Sequence, residues 1–270
     1  MKSLSYELLV KKKQLLFFFV LFFSGKLFGL PLENIAAPHL PEKGFFFPEN
    51  SFIGFKTGYF LDHARNQHFD LEESCNRSDF VKIGSFSYWM HGGSLTFNIN
   101  DFVEIYGLFG KAKVSLTQKF SNLKTKYGSN FEWFGGGGGR ATIIFWKNTT
   151  FGMDAKYFQS LPMKLSGDLK GQKNSAAEHL RSWQVGAGLS HRLGFFIPYI
   201  GGIYTKYHLK VGRSKQDLIT ISEKKLRFVN HRNFSLAGGF SFSSPKIFLM
   251  TVEGRIFGEE AITASFQVRF

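Results

Sequence analysis

The chain has one cysteine, Cys75, in 270 residues, so no internal disulfide can hold its fold together; the thiol is either free or paired with another chain. Carboxylates are scarce as well: 20 Asp and Glu stand against 34 Lys and Arg, a formal charge of +14 at pH 7. After residue 30 no apolar stretch approaches the ~20 residues that a helix needs to cross a bilayer. A helical repeat is missing too, because the dominant hydrophobic period from Ser51 onward is two rather than 3.6. What is present is a basic chain rich in aromatic residues, with 34 Phe, 9 Tyr and 4 Trp and a mean hydropathy near zero. Such a chain suits a soluble β-protein or a membrane-spanning β-barrel.

The first 29 residues read MKSLSYELLVKKKQLLFFFVLFFSGKLFG, a basic run (Lys11, Lys12, Lys13) before the apolar core LLFFFVLFF, closed by Lys26. That is the layout of a secretory signal peptide. Cleavage after Gly29 leaves a chain starting LPLENIAAPHLPEKG, and residues 30–50 are expected as an irregular periplasmic segment ahead of a domain over 51–270. Loss of residues 1–29 removes five Lys and one Glu, which lowers the charge to +10. A basic surface suits nucleic acid, anionic lipid or an anion-attracting lumen. Export makes nucleic acid the poorest partner of the three, and none is expected.

The final segment, AITASFQVRF, sets Ile262, Ala264, Phe266, Val268 and Phe270 on one face and Thr263, Ser265, Gln267 and Arg269 on the other. Phe248, Met250, Val252 and Ile256 oppose Thr251, Glu253 and Arg255 in the same way, as do Trp183, Val185, Ala187 and Leu189 with Gln184, Gly186, Ser190 and Arg192. A soluble sandwich also alternates, but three features favour a barrel in lipid. Charges sit in mid-strand, the apolar positions are often aromatic, and short links (100–102, 147–148, 193–195, 243–246) alternate with long ones (62–79, 118–130, 161–180, 212–224). Outer-membrane barrels pair short periplasmic turns with longer outer loops. HGG at 91–93 resembles a turn, yet one parity continues from Val81 to Ile99 through it, so 80–100 reads as one strand. The count is then ten, all antiparallel, with twelve if HGG turns and a further strand lies hidden. The last strand is expected to close against the first, because lipid tolerates no unpaired backbone edge. Its ending on Phe266, Val268 and Phe270 is of the kind that bacterial barrel-assembly machinery recognises.

Several strings, in order, resemble the chlamydial major outer membrane porin family: GLPLENIAAPHLP, GSLTFNINDFVEIYGLFG, FEWFGGGGGRATIIFWKNTTFGMDAKYFQS, SWQVGAGLSHRLGFFIPYIGGIYTKY and FLMTVEGRIFGEEAITASFQVRF. The resemblance implies an outer-membrane porin, often trimeric, that passes small solutes. Family members are longer and Cys-rich, so this chain resembles a shortened relative without the cross-linked envelope role. It implies no catalytic residues.

The run GGGGGR at 135–140 lacks the Lys-Ser/Thr pair of a phosphate loop and reads as strand with close backbone approach. His63, His68, Asp70, Glu72, Glu73 and Cys75 carry metal-ligand chemistry at no standard spacing and read as a solvated loop. Ser190 with His191, and His231, are the hydrolase candidates; adjacent strand residues point to opposite faces, so neither makes a nucleophile with its base. No enzyme, cofactor or metal site is expected. With the apolar sets toward lipid, Arg140, Lys156, Arg192, Lys206, Lys210, Arg255 and Arg269 point into the lumen with Glu104, Glu132, Asp154 and Glu253. That excess of bases predicts passive diffusion of small solutes or ions with an anion lean. The competing expectation is a plugged, non-conducting surface protein whose basic outer segments, GDLKGQKNSAAEH and GRSKQDLITISEKKLR, touch host or envelope polyanions.

Overall fold

The computed structural model describes residues 31–40, 44, 52–71, 81–120, 123–169, 172–211, 226–244 and 247–270. Its strands are β1 (Ile53–Leu71), β2 (Val81–Ile99), β3 (Val103–Phe120), β4 (Leu123–Ser129), β5 (Glu132–Trp146), β6 (Thr149–Ser160), β7 (Met163–Leu169), β8 (Gln172–His191), β9 (Phe196–Val211), β10 (Leu226–Asn230), β11 (Phe234–Ser243), β12 (Phe248–Ile256) and β13 (Glu260–Arg269). All pairings are antiparallel.

Three pairs of segments are single wall strands with a local break. β4 and β5 both pair with β3, β6 and β7 both pair with β8, and β10 and β11 both pair with β9. Thirteen segments therefore make the ten strands expected, and β13 closes against β1 from Lys56↔Arg269 to Arg65↔Glu260. β2 passes straight through HGG, with His91, Gly92 and Gly93 opposite Lys111, Gly110 and Phe109.

The wall changes width along its length. At the end that carries the chain terminus the ring is β1-β2-β3-β5-β6-β8-β9-β11-β12-β13. The β12–β13 hairpin stops at residues 257–259, and the β5–β6 pair gives way to β4–β7, so the other end closes through β10 onto β1, with Phe69 opposite Asn230. That end has eight strands, a width at which side chains alone fill the interior.

The terminal-end links are short, as expected, and one is a tight turn with Asn100 at φ 50° and Asp101 at φ 54°, the paired positive angles that join twisted antiparallel strands. The long outer links need correction. The wall runs on through Leu71, β4 leaves only 121–122 after β3, and β7 and β8 leave only 170–171. GDLKGQKNSAAEH is thus mostly wall. Above the lipid both the outward and inward demands change, so the greasy-out, polar-in pattern that marks a strand stops while the strand continues. Residues 72–80 and 212–225, and with them Cys75 and most of GRSKQDLITISEKKLR, lie outside the described residues, as does the segment 1–29 expected as a signal peptide.

Outward positions carry the apolar sets as expected: Ile53, Tyr59 and Leu61 on β1, Ile105 and Phe109 on β3, Ile262 and Phe266 on β13 are all exposed. From Ile53 to Leu61 this band runs roughly 27 Å along the strand, or about 20 Å of bilayer at the usual ~40° tilt. No helix among the described residues is long and apolar enough to cross a membrane.

Candidate functional site

The wide end of the barrel is filled by its own amino-terminal segment. Residues 31–40, PLENIAAPHL, were expected outside the barrel and instead run within it, with Leu32, Asn34, Ile35, Ala37 and Leu40 buried and one 3-10 turn at Ala37–His39. Leu32 and Ile35 pack on Ile203 and Ala237; Ala36, Ala37 and Leu40 pack on Ile197 and Leu249. Missing side chains make the room. A Cβ at Gly186 or Gly201 would stand 2.5 Å from a Leu32 methyl carbon, and one at Gly152 would stand 3.3 Å from Ile35 Cβ.

Polar bonds hold the same segment. Glu33 takes a left-handed φ of 56°, and the Leu32 and Glu33 N–H groups both donate to the Glu253 carboxylate at 2.9 and 2.8 Å. The Glu33 side chain accepts from Arg140 Nη2 at 2.9 Å. Lys56 Nζ donates to the carbonyls of Ala37 and Leu40, Lys156 Nζ to that of Pro31, and Asn98 Nδ2 to that of Pro38 at 2.6 Å. Carbonyls outside regular structure thereby find buried donors, which an enclosed segment requires.

The wall charges behind the plug are paired. Lys56 contacts Glu104 at 2.6 Å, Arg140 contacts Glu104 at 3.3 Å and Asp154 at 3.4 Å, and Lys156 contacts Asp154 at 3.0 Å, which also accepts from Tyr106 Oη at 2.6 Å. A second cluster centres on Arg255, with Asp62 at 2.7 Å, Glu253 at 2.9 Å and Glu259 at 3.4 Å. Arg269 meets Asp101 at 2.8 Å. Arg255 and Arg269 are 0% exposed, which a water-filled pore would not produce. Buried ions persist only where partners offset the several kcal/mol of lost hydration.

Of the residues expected in the lumen, Arg140, Lys156, Arg255, Arg269, Glu104, Asp154 and Glu253 are buried inside it, and Glu132 shares their inward parity. Arg192 sits at the wide mouth, where it lines a cavity of about 390 Å³ with His39, Asp101 and Lys147. Lys206 and Lys210 are corrections: they share the outward face of exposed Tyr204, opposite buried Thr205, Tyr207 and Leu209. They stand above the lipid band, where polar residues turn outward. Lys56, Asp62 and Glu259 were missed, although Lys56 and Asp62 oppose Tyr59 and Leu61 in strand parity. Buried wall cations (Lys56, Arg140, Lys156, Arg255, Arg269) and carboxylates (Asp62, Glu104, Asp154, Glu253, Glu259) are five of each, so the expected basic excess is absent among the described residues.

His39 is partly enclosed in the plug. Burial lowers its pKa below the ordinary histidine value; Asp101 opposes that shift, Lys56 adds to it and Glu104 opposes it.

The narrow end is apolar inside. Phe69, Phe86, Val114, Leu116, Phe158, Met163, Leu165, Leu180, Tyr207, Leu209 and Phe228 belong to one buried cluster that fills the axis. Gly136 and Gly138 of the glycine run face inward beside β6, where a Cβ at Gly136 would stand 2.5 Å from the Tyr157 carbonyl oxygen and one at Gly138 2.7 Å from Tyr106 Oη. They give the close approach that the sequence suggested.

Among the other candidates, Ser190 is buried while His191 is exposed and shares a 2.9 Å hydrogen bond with Thr149. His63 faces outward, stacked on Trp89 at 3.7 Å. No group of three or more His, Cys, Asp or Glu able to hold a metal occurs among the described residues, and Glu72, Glu73 and Cys75 lie outside them. At the carboxyl end, Phe266 faces out, Val268 and Phe270 are half-buried, and the Phe270 N–H donates to Phe55 O at 2.8 Å.

No protein-family model matches the chain, and no curated protein does. Solved structures similar to it include the outer membrane protease OmpT from Escherichia coli (9% identity, 80% of this chain and 94% of that one, TM-score 0.43). The translocator domain of the autotransporter NalP from Neisseria meningitidis is similar at 10% identity, over 80% of this chain and 88% of that one, with a TM-score of 0.42. The Pseudomonas putida toluene transporter TodX is similar at 8% identity, over 90% and 98%, with a TM-score of 0.31. Likeness this loose assigns none of these activities to the chain.

Proposed function

We propose that the chain is an outer-membrane β-barrel that does not conduct and serves as a structural or adhesive surface protein. The observation that carries this is the double seal: a chain segment bonded to buried charges fills the wide end, and an apolar side-chain cluster fills the narrow one. Passive diffusion would require both to leave. The equal count of buried cations and carboxylates gives no basis for an anion lean. An exterior band of exposed aromatic and aliphatic side chains supports residence in a bilayer, and the signal-peptide layout of residues 1–29 supports export to the outer membrane.

The test is conductance. The chain from Leu30 is refolded in detergent, its barrel verified by heat-modifiable migration, and incorporated into a planar bilayer under a salt gradient. The expected record is flat, both for this chain and for one lacking residues 31–40, because the narrow end stays sealed. Discrete steps with a defined reversal potential from the intact chain would overturn the proposal and restore a porin.

A further inference from the structure

The outer surface changes character at one level. On β3 the outward residues run Val103, Ile105, Gly107 and Phe109 and then become Lys111 and Lys113. The same switch follows Leu61 on β1, where Arg65 stands beyond His63, and Tyr204 on β9, where Lys206 follows. Arg181 lies beyond Trp183 on β8, and Lys164 beyond the apolar face of β6. The outward carboxylate described at this level is Glu260, opposite Arg65. A ring of bases therefore sits on top of the lipid band, on the loop side.

On β1 to β3 the ring is built into a cluster. Register places Lys113 beside Trp89 and Trp89 beside His63, so Lys113 and His63 are about 10 Å apart, two strand spacings. The His63 ring stacks on Trp89 at 3.7 Å, and Arg65 Nε donates to His63 Nε2 at 2.7 Å. Lys111 lies beside His91, its Nζ 5.0 Å from the Trp133 ring centroid. Tryptophan concentrates at the headgroup level of a bilayer, and long cationic side chains there hold anionic groups by charge-assisted bonds.

We propose that this collar binds the phosphate groups of lipid in the outer leaflet, with Arg65, Lys111 and Lys113 as its principal contacts. Charge and depth both argue for that occupant: the bases stand where the apolar band ends, within reach of a headgroup. The proposal rests on the chain spanning a bilayer and is independent of whether the lumen conducts. Failure to enter vesicles would sink the bilayer reading; entry without lipid preference would sink only the collar.

The experiment incorporates the chain from Leu30 into phosphatidylcholine vesicles doped with a bis-phosphorylated glycolipid or its dephosphorylated form, extracts it gently, and quantifies retained lipid by mass spectrometry. The phosphorylated form is expected to be retained and the other lost. The R65Q/K111Q/K113Q variant, with unchanged heat-modifiable migration, is expected to retain it roughly 10- to 100-fold less, from three surface cations. Should the triple variant fail to fold, K111Q and K113Q singly are compared with K147Q at the opposite rim, and only the collar variants are expected to lose lipid. Equal retention of both glycolipids, retention unchanged in the folded collar variants, or equal displacement of the lipid by inorganic phosphate would overturn the proposal.

Discussion

Replacing Glu253 with Gln tests how the plug is held. The carboxylate accepts from the Leu32 and Glu33 N–H groups, from Tyr199 Oη at 2.8 Å and from Arg255 Nη1 at 2.9 Å. Glutamine is nearly isosteric, and Arg255 keeps Asp62 and Glu259, so the barrel wall survives. The glutamine side-chain oxygen can accept only one of the two plug N–H groups, and its NH2 cannot accept the other; loss of one bond to a charged acceptor, worth about 1.5–3 kcal/mol, weakens docking by about 2 kcal/mol. At ~1.4 kcal/mol per tenfold, the undocked population rises roughly 30-fold. The assay places a thiol at Ala36, 6% exposed when docked, in a Cys75→Ser background, and follows modification by a water-soluble thiol reagent in detergent. Labelling of the Glu253→Gln chain is expected to be roughly 30-fold faster than that of its parent, while bilayer conductance stays flat. Equal rates would show that the carboxylate does not anchor residues 32 and 33 and that apolar packing alone docks the segment.

Gly186→Val should act through volume instead, since its side chain takes the space of the Leu32 methyl groups; Ala36→Cys labelling should accelerate, with the apolar cluster at the narrow end and the heat-modifiable migration unchanged. The pH response follows from His39: its pKa is lowered in the docked state, so docking is complete above the ordinary histidine value of about 6.5 and weakens as pH falls below it. Labelling normalised to the urea-unfolded chain at each pH should therefore rise from pH 7.5 to 5, and His39→Gln should flatten that rise. Arg255→Met strands Asp62, Glu253 and Glu259 together in the interior and should cost about 3–5 kcal/mol, read as a lower urea midpoint of the refolded barrel.

The sequence shows its barrel where the wall separates lipid from lumen, because the two solvents force opposite side-chain chemistry at alternate residues. β13 is legible for that reason, with Ile262, Ala264 and Phe266 against Thr263, Gln267 and Arg269. Beyond the band the outer face meets water and the inner face meets an apolar core, so Lys206 points out while Tyr207 points in. A rule that sends every charge inward misplaces such residues. Strand continuation is lost from view there too, as in HARNQHFDL of β1, where polar residues crowd both parities. The plug has no period at all: beside its apolar packing and the Glu33 side chain, PLENIAAPHL is held by backbone carbonyls and two consecutive N–H groups, which no side-chain pattern announces. The lumen charges were largely readable from parity, whereas their balance turns on Lys206 and Lys210 facing outward, Arg192 standing at the mouth and Glu259 lying inside, since the added Lys56 and Asp62 cancel.

One hairpin sets the aperture of this barrel. β13 begins opposite Arg65 of β1, and β10 takes over that edge at Phe69 to Leu71, so two strands drop out of the circumference where β12 and β13 turn. Grafting extra residues onto both arms until they reach Leu71 would push β10 away from β1 and widen the loop end by about 10 Å of girth, two strand spacings. Side chains that now meet across the axis, Phe69 with Tyr207 for example at 6.5 Å between rings, would part, and water would enter from above. Length in a single hairpin is thus a handle by which a sealed wall could be converted to an open one without touching any residue of the plug.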